Sequence, residues 1–220
     1  MSTRLAASGL RWIERRIRLV AILDALRYVG LSPTNVMTVH AMAYLADALA
    51  PVWDLPILDG QVLKRPQRPF FPILQADLDR LVGQGTVEVS NVAYVEEPDG
   101  QWRINADYAI NPEMLSRVVG AIALFDEQVT KWTFVREVVF AAAGLGPEGL
   151  NYVGLLDAAY SNPSIDTGEI IDIAPETGGE NATAEVAHRF SRVMRETMTL
   201  SSAELVHLYV RHLYSRMQVV

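Results

Sequence analysis

A glycine-rich segment is the first feature of this sequence that could bind a cofactor. Residues 144–149, GLGPEG, match the spacing G-x-G-x-x-G, with which a loop after a strand binds a dinucleotide pyrophosphate. That chemistry needs a preceding strand, but Trp132, Val135 and Val139 repeat at helical spacing. Pro147 also lacks the amide hydrogen that a phosphate cradle would use. We therefore expect the first glycine to end one helix and the proline to begin the next, with no cofactor bound.

The histidines and carboxylates form no pattern for metal or acid–base chemistry. His207 and His212 are five residues apart, so their rings would diverge by about 140° on a helix. A two-histidine metal site on a helix needs a spacing of four. Carboxylates such as Asp54 and Asp59 have no spacing that would hold two of them at one bond. We predict no metal site and no catalytic residue, and hence no enzyme.

Composition and charge are those of a globular protein with an acidic balance. The chain has 220 residues, 50% of them hydrophobic, and 19 Lys+Arg against 26 Asp+Glu give a net charge of −7. A free-standing DNA-binding protein usually has a basic footprint, which the chain as a whole lacks. The absence of cysteine excludes disulfides and thiolate chemistry. Without a long apolar run or a secretory signal, we expect a cytoplasmic protein that does not span a membrane.

The N-terminal half predicts three helices. Apolar residues recur at steps of three and four residues in two segments, and Thr34 or Asn35 is a candidate cap for the second helix. Pro72 suits the first turn of the third helix, and two glycines follow the helix. The three helices are predicted near residues 10–28, 36–49 and 71–82.

A β-hairpin follows the third helix. Strict alternation places Val89 and Ala93 on the same face of the first strand, and a second strand begins at Trp102 after the turn residues EPDG. A short strand near residues 61–64 would complete the sheet. The order of three helices and a hairpin predicts an N-terminal winged helix over residues 1–110.

Residues 111–220 are predicted to form an α-helical C-terminal lobe, so the fold class is mainly α with a small β-hairpin. The last helix is apolar on most of its circumference, which is typical of a helix covered on both sides. Leu205, Tyr209 and Tyr214 are its candidate contacts with a partner protein; the alternative is a central helix of the lobe. An acidic loop separates the fourth helix of this lobe from the third. The five helices are predicted near residues 112–128, 130–143, 147–160, 183–198 and 202–217.

The charges around the third helix bear on whether this chain reads DNA. Asp77 and Asp79 lie on that helix and the hairpin tip is EEPDG, so this surface would oppose a line of phosphates. We interpret both aspartates as candidates for a protein interface. Basic residues elsewhere are candidates for contact with nucleic acid or with a partner, the alternative being a solvated helix face and a basic loop. These residues are Lys64, Arg65 and Arg68 before the third helix, and Arg11, Arg15 and Arg18 in the first.

Several segments resemble the small middle components of bacterial ABC-three-component and Lamassu-type defence systems. The resemblance is strongest over residues 35–110, where ADALAPVWD, LDGQVLKR and FFPILQADLDRLVGQG follow one another. It extends to DAAYSNPSI at residues 157–165 and to the HRFSRVM segment after it. These motifs are structural rather than catalytic.

The resemblance implies a non-catalytic accessory subunit of an antiviral complex that senses DNA. In such systems an SMC-family ATPase recognises aberrant or foreign DNA, and an effector, often a nuclease, does the damage. The small component bridges or restrains the two, so DNA would be contacted mainly through the complex. We expect no membrane and no small-molecule substrate. The alternative is a winged-helix transcriptional regulator that binds DNA directly.

Overall fold

The fold is mixed α/β, with most of the chain in helices and small antiparallel sheets between them. The helices are α1 (Ser2–Tyr28), α2 (Val36–Leu49), α3 (Pro72–Gly83), α4 (Pro112–Ile122), α5 (Asp126–Ala143) and α6 (Ser202–Met217). The strands are β1 (Thr34–Asn35), β2 (Gln61–Arg65), β3 (Arg68–Phe70), β4 (Val87–Glu96), β5 (Trp102–Ile110) and β6 (Ile170–Asp172). The structure, a computed structural model, describes residues 2–66, 68–96, 100–146, 149–150, 153–157, 159–173, 183, 185–186, 189, 192 and 200–217.

Helix α2 is the centre of the core. It begins where the Asn35 side chain accepts a hydrogen bond from the backbone N–H of Thr38, which caps the helix as predicted. All but one of its 14 residues are buried. The segment Val36–Trp53 is long and apolar enough to cross a membrane by length and composition, but 83% of it is buried inside this protein. Its apolar character is therefore explained by its place in the core.

The hairpin sheet has the order β1-β5-β4, and its third strand is not the predicted one. The two residues of β1 lie between α1 and α2, where Thr34 pairs with Tyr108 and Asn35 with Asp107. The strand expected near residues 61–64 does form, as β2, but it belongs to another sheet. Two residues are too few to show an alternating pattern, and so β1 gave no sequence signal.

The second sheet has the order β3-β2-β6 and joins the two halves of the chain. Strand β6 comes from the acidic loop, for which no strand was predicted, and it pairs antiparallel with β2. Val62 lies opposite Ile171, and both side chains are buried. Nearby, the ammonium of Lys64 donates to the carbonyls of Asn162 and Ile165, which fastens the first part of the loop to β2. The pairing of apolar residues and these hydrogen bonds order residues 162–173.

The helices of the C-terminal half pack on the N-terminal half within one continuous core. Helix α5 starts one turn earlier than predicted, because α4 ends at Ile122 and a short turn follows. Gly144 ends α5, as expected, with its N–H bonded to the carbonyl of Phe140. Within the segment predicted as a helix near 147–160, Val153–Leu156 form a short 3-10 helix. Pro147 and most of the helix predicted at 183–198 lie outside the described residues.

A buried carboxylate connects α2 and α6. Asp157 is fully buried, and the hydroxyls of Tyr44 and Tyr209 both donate to it, the latter at 2.5 Å. Thr183 Oγ1 donates to it at 2.7 Å and the N–H of Ala159 at 3.0 Å. Burial, with the nearby carboxylate, raises the pKa of Tyr44 well above its usual range, so its hydroxyl stays protonated and continues to donate.

The pairing of β6 with β2 predicts opposite outcomes for two adjacent isoleucines. Ile171 is 1% exposed and Ile170 is 59% exposed. Ile171→Ala should lower the free energy of unfolding by about 2–4 kcal/mol, because it leaves a cavity in the core. Ile170→Ala, the control, should change it by less than about 0.5 kcal/mol. Urea unfolding measures both; equal small effects would show that this segment is not packed on β2.

Candidate docking surface and the basic segments

A β-bulge in β4 changes which side chains share a face of the hairpin. Ser90 pairs with Asp107 but Ala93 pairs with Asn105, so β4 contains one extra residue between these pairs. Asn91 lies there with a φ of 50°, a left-handed conformation that asparagine tolerates better than most residues. The predicted strict alternation is therefore wrong beyond Ser90: Val89 shares its face with Tyr94 rather than with Ala93.

The face of the hairpin that carries Val89 and Tyr94 runs from the core out into solvent. On β5 its inner residues, Ala106, Tyr108 and Ile110, are buried. Its outer residues, Trp102 and Ile104, pair with Glu96 and Tyr94 on β4. Beyond the helices the face carries three large apolar side chains beside Glu96, and none of the residues that the structure describes covers them. Tyr94, Trp102 and Ile104 are 70%, 66% and 59% exposed, and we call these three residues the hairpin stripe.

The hairpin stripe is a candidate surface for binding a protein. Exposed apolar side chains are ordinary when scattered, but a contiguous group containing two large aromatics marks an interaction site. Trp and Tyr also contribute disproportionately to binding at protein interfaces. Sequence reasoning missed the stripe because the bulge separates Tyr94 from the pattern of the inner strand. The aromatic residues on both strands were the available signal.

Helix α3 presents a different surface from the one predicted. Asp77 is completely buried, with its carboxylate bound to Arg15 Nε at 2.7 Å and Arg16 Nε at 3.1 Å, so its expected role at a protein interface needs correction. Asp79 is exposed, as predicted, and accepts a hydrogen bond from Gln75. The exposed charges of α3 are Asp79 and Arg80, one of each sign. This surface therefore carries no positive excess for phosphates.

Two arginines of α1 that were predicted to face a partner or nucleic acid are instead bound inside the protein. Arg18 is buried and donates to Asp47 at 2.6 Å and to Asp59 at 2.7 Å. Arg15 binds Asp77 and lies 3.6 Å from Asp59. The expectation for both is corrected, because their charges are already neutralised by buried or half-buried carboxylates. Of the three predicted residues of α1, Arg11 alone is exposed.

Asp47 is the most deeply buried member of the ion-pair network around Arg18. Its Oδ1 atom also accepts from the backbone N–H groups of Leu58 and Asp59, which holds the loop after α2 against α1. Burial raises the pKa of Asp47 to about 6, although Arg18 opposes the shift. The network is visible in the sequence only as scattered charges, because pairing over 29 residues of separation has no local pattern.

The basic segment before α3 is held by the fold at Lys64 and Arg65. Besides its two carbonyl contacts, the Lys64 ammonium lies 5.7 Å from the ring centroid of Tyr160. The Arg65 guanidinium lies over the Phe70 ring at 3.6 Å. Lys64, Arg65 and Arg68 are all partly exposed. Contact of these residues with nucleic acid or a partner stays a prediction, but two of them already stabilise the second sheet.

His40 on α2 fixes the start of α3. Its Nδ1 atom accepts a hydrogen bond from the N–H of Phe71 at 3.2 Å, so the ring proton is on Nε2, which faces Gln75 Oε1 at 3.1 Å. Burial lowers the pKa of His40 to about 4, against the hydrogen bond to Gln75, and the charges of Arg68 and Arg65 add to the lowering. The imidazole is therefore neutral in the folded protein at neutral pH.

The last helix is mainly a core element. Leu205 and Tyr209 are buried, so they do not form the surface that was predicted to meet a partner. The apolar residues on most of its circumference pack against α5 and the two short 3-10 helices, Ala50–Trp53 and Val153–Leu156, and this was the alternative considered from the sequence. Tyr214 is half-buried, and its ring lies beside Gly149, where an added Cβ would come within 3.3 Å of it.

The remaining chemical candidates gain no support from the geometry. Among the residues that the structure describes, no group of three or more His, Asp or Glu side chains could hold a metal ion. The glycine motif follows a helix rather than a strand. Comparison with models of known families, with curated proteins and with solved structures finds no match to this chain.

The internal role of Arg18 predicts a large loss of stability on its removal. Arg18→Met should lower the free energy of unfolding by about 3–5 kcal/mol, because Asp47 and Asp59 lose this partner and buried Asp47 must stay as an unpaired charge or take up a proton. Arg27→Met is the control on the same helix: Arg27 is exposed and pairs with Asp24, which contributes less than about 1 kcal/mol. Urea unfolding at pH 7 compares them. Similar small losses in both variants would contradict a structural role for Arg18.

His40 predicts a specific dependence of stability on pH. Its pKa is about 4 when folded and 6.5 in its ordinary state, so the unfolded chain binds the proton more tightly. Its contribution, about 3 kcal/mol, is present above pH 6.5 and is lost as the pH falls towards 4. Between pH 7 and 4, the free energy of unfolding should fall less steeply with decreasing pH for His40→Gln than for the unmodified protein. Parallel curves for His40→Gln and the unmodified protein would contradict the assignment.

Proposed function

We propose that this chain is a non-catalytic accessory subunit that binds another protein through the hairpin stripe. Tyr94, Trp102 and Ile104 carry this proposal, because they extend a core-facing surface into solvent where none of the described residues covers it. A partner that covers them would remove apolar area from water, which is the main favourable contribution to association.

The order of elements supports a winged-helix arrangement for residues 1–110. A short strand between the first two helices pairs with the second strand of the hairpin, and the third helix leads directly into the first. In this arrangement the hairpin is the wing. A wing that carries Trp and Tyr at its outer end is suited to a protein surface, whereas a wing on DNA needs charges that neutralise phosphates.

The resemblance described above gives the partner its chemical class. We propose that the stripe binds an SMC-family ATPase and that a second surface meets an effector nuclease, within a cytoplasmic antiviral complex that senses DNA. The subunit would bridge or restrain the other two components. This assignment agrees with the −7 net charge of the chain, which favours contact with DNA through the complex rather than directly.

Direct reading of DNA by this chain is the second candidate, and the geometry favours it less. The charges of Arg15 and Arg18 are neutralised internally, and the exposed charges of α3 cancel. The partly exposed segment at Lys64, Arg65 and Arg68 is the basic surface that would have to serve instead. We expect no specific mobility shift of a DNA duplex by the isolated chain at about 150 mM salt.

Co-expression with an SMC-family ATPase from the same genome tests the docking proposal. The unmodified chain should co-elute with the ATPase, and Trp102→Ala should weaken the complex roughly 30-fold, since buried interface aromatics contribute about 2 kcal/mol or more. Leu124→Ala is the control, because Leu124 is an equally exposed apolar residue at the turn between α4 and α5. A chain that stays monomeric beside the ATPase would contradict the proposal, as would equal affinity of both variants.

A further inference from the structure

A cavity of about 230 Å³ lies between α1, α2 and α5, and the loop after α2 forms another side. Its walls are apolar for the most part, with Ile17, Ala46, Ile57, Trp132 and Phe134 among them. An engineered apolar cavity of about 150 Å³ is enough to bind benzene. The cavity in this protein is therefore large enough for a molecule with two fused rings.

The charges around the cavity leave one cation without an ion-pair partner. Glu14 and Lys131 both line the cavity, and they bind each other at 2.7 Å. Arg18 and Asp47, also in the wall, form the buried pair described above. Arg11 is exposed and lines the cavity, and it has no ion-pair partner among the residues that the structure describes. Lys131 also binds Glu127 and Arg18 also binds Asp59, each at 2.7 Å, so Arg11 is the cation of the lining that remains to attract an anionic ligand.

The buried pair supplies a second observation that points to a ligand. Among the described residues, Arg18 Nε is a buried donor without a hydrogen-bond partner, and Asp47 Oδ2 is a buried acceptor that also lacks one. A buried polar atom without a partner costs free energy, so such atoms are rare in folded proteins. An oxygen entering the Arg18 side of the cavity, with a small shift of the wall, would give the Nε donor an acceptor.

We propose that this cavity binds a small apolar carboxylate with a body the size of two fused rings. The ring system lies against Trp132 and Phe134, and the carboxylate lies on the side of Arg11 and Arg18. This site is separate from the hairpin stripe and does not depend on the proposed docking function. Because the site lies between α1, α2 and α5, binding stabilises the folded chain by mass action.

The first test uses 2-naphthoate as the probe and 2-naphthamide as its uncharged counterpart of the same shape. The chain is labelled with fluorotryptophan and titrated, and ¹⁹F NMR follows the resonance of Trp132, with Trp102 on the hairpin as the internal control. We expect saturable movement of the Trp132 signal while the Trp102 signal stays fixed, with a dissociation constant on the order of 1 mM or tighter for a ligand of this size. The amide should bind about fivefold more weakly.

The second test uses two pairs of variants. Ala46→Leu fills the cavity from α2 and should abolish binding, whereas Ala76→Leu on the exposed face of α3 should not change it. Arg11→Gln should weaken binding of 2-naphthoate about fivefold and leave the amide unaffected. Arg27→Gln, at the exposed end of the same helix and outside the cavity, is its control.

Three results would overturn the proposal. They are an unmoved Trp132 signal at about 10 mM 2-naphthoate, equal affinity for the acid and the amide, and unchanged binding by a folded Ala46→Leu variant. If Ala46→Leu fails to fold, the titration of the unmodified chain and the Arg11→Gln variant decides the question by itself, since neither alters the core.

Discussion

The burial of α2 on all sides is the constraint on which the rest of the structure depends. In this position a polar side chain needs a hydrogen-bond or ion-pair partner, because burying a polar group without one costs free energy. Three polar residues on α2 each bind a different part of the chain. His40 binds the start of α3, Tyr44 binds Asp157 in the C-terminal half, and Asp47 binds Arg18 of α1. The hydrogen bonds and the ion pair of these three side chains therefore also fix the positions of the elements around α2.

The same constraint explains which residues remain for function. Several charged residues that the sequence offered as candidates for binding form ion pairs within the protein instead. Arg15 and Arg18 neutralise Asp77, Asp47 and Asp59. The outer part of the hairpin, by contrast, exposes large apolar side chains on one face. The bulge at Asn91 turns Tyr94 to the face that carries Ile104 and Trp102. Internal binding of Arg15 and Arg18, together with exposure of Tyr94 and Trp102, supports our proposal that the chain binds a protein rather than DNA.

Local signals in the sequence predicted those elements that local chemistry determines. The bounds of α2 follow from the Asn35 cap and the prolines after it, and the start of α4 follows from Asn111 and Pro112. The hairpin strands also lie where alternation placed them. Strand β1 is too short to alternate, and β6 depends on pairing with β2, about a hundred residues away in the chain. Pairing of charges across helices likewise has no local pattern, so burial of Asp77 and Arg18 could not be read from the sequence.

Hydrogen–deuterium exchange of the chain alone and in complex with the proposed partner, an SMC-family ATPase, tests the central claim most directly. If the hairpin stripe is the docking surface, the backbone amides of residues 92–96 and 100–104 should exchange more slowly in the complex, while those of residues 64–68 are unchanged. Slower exchange at residues 64–68 with an unprotected hairpin would contradict the account, because the basic segment rather than the apolar stripe would then be the interface.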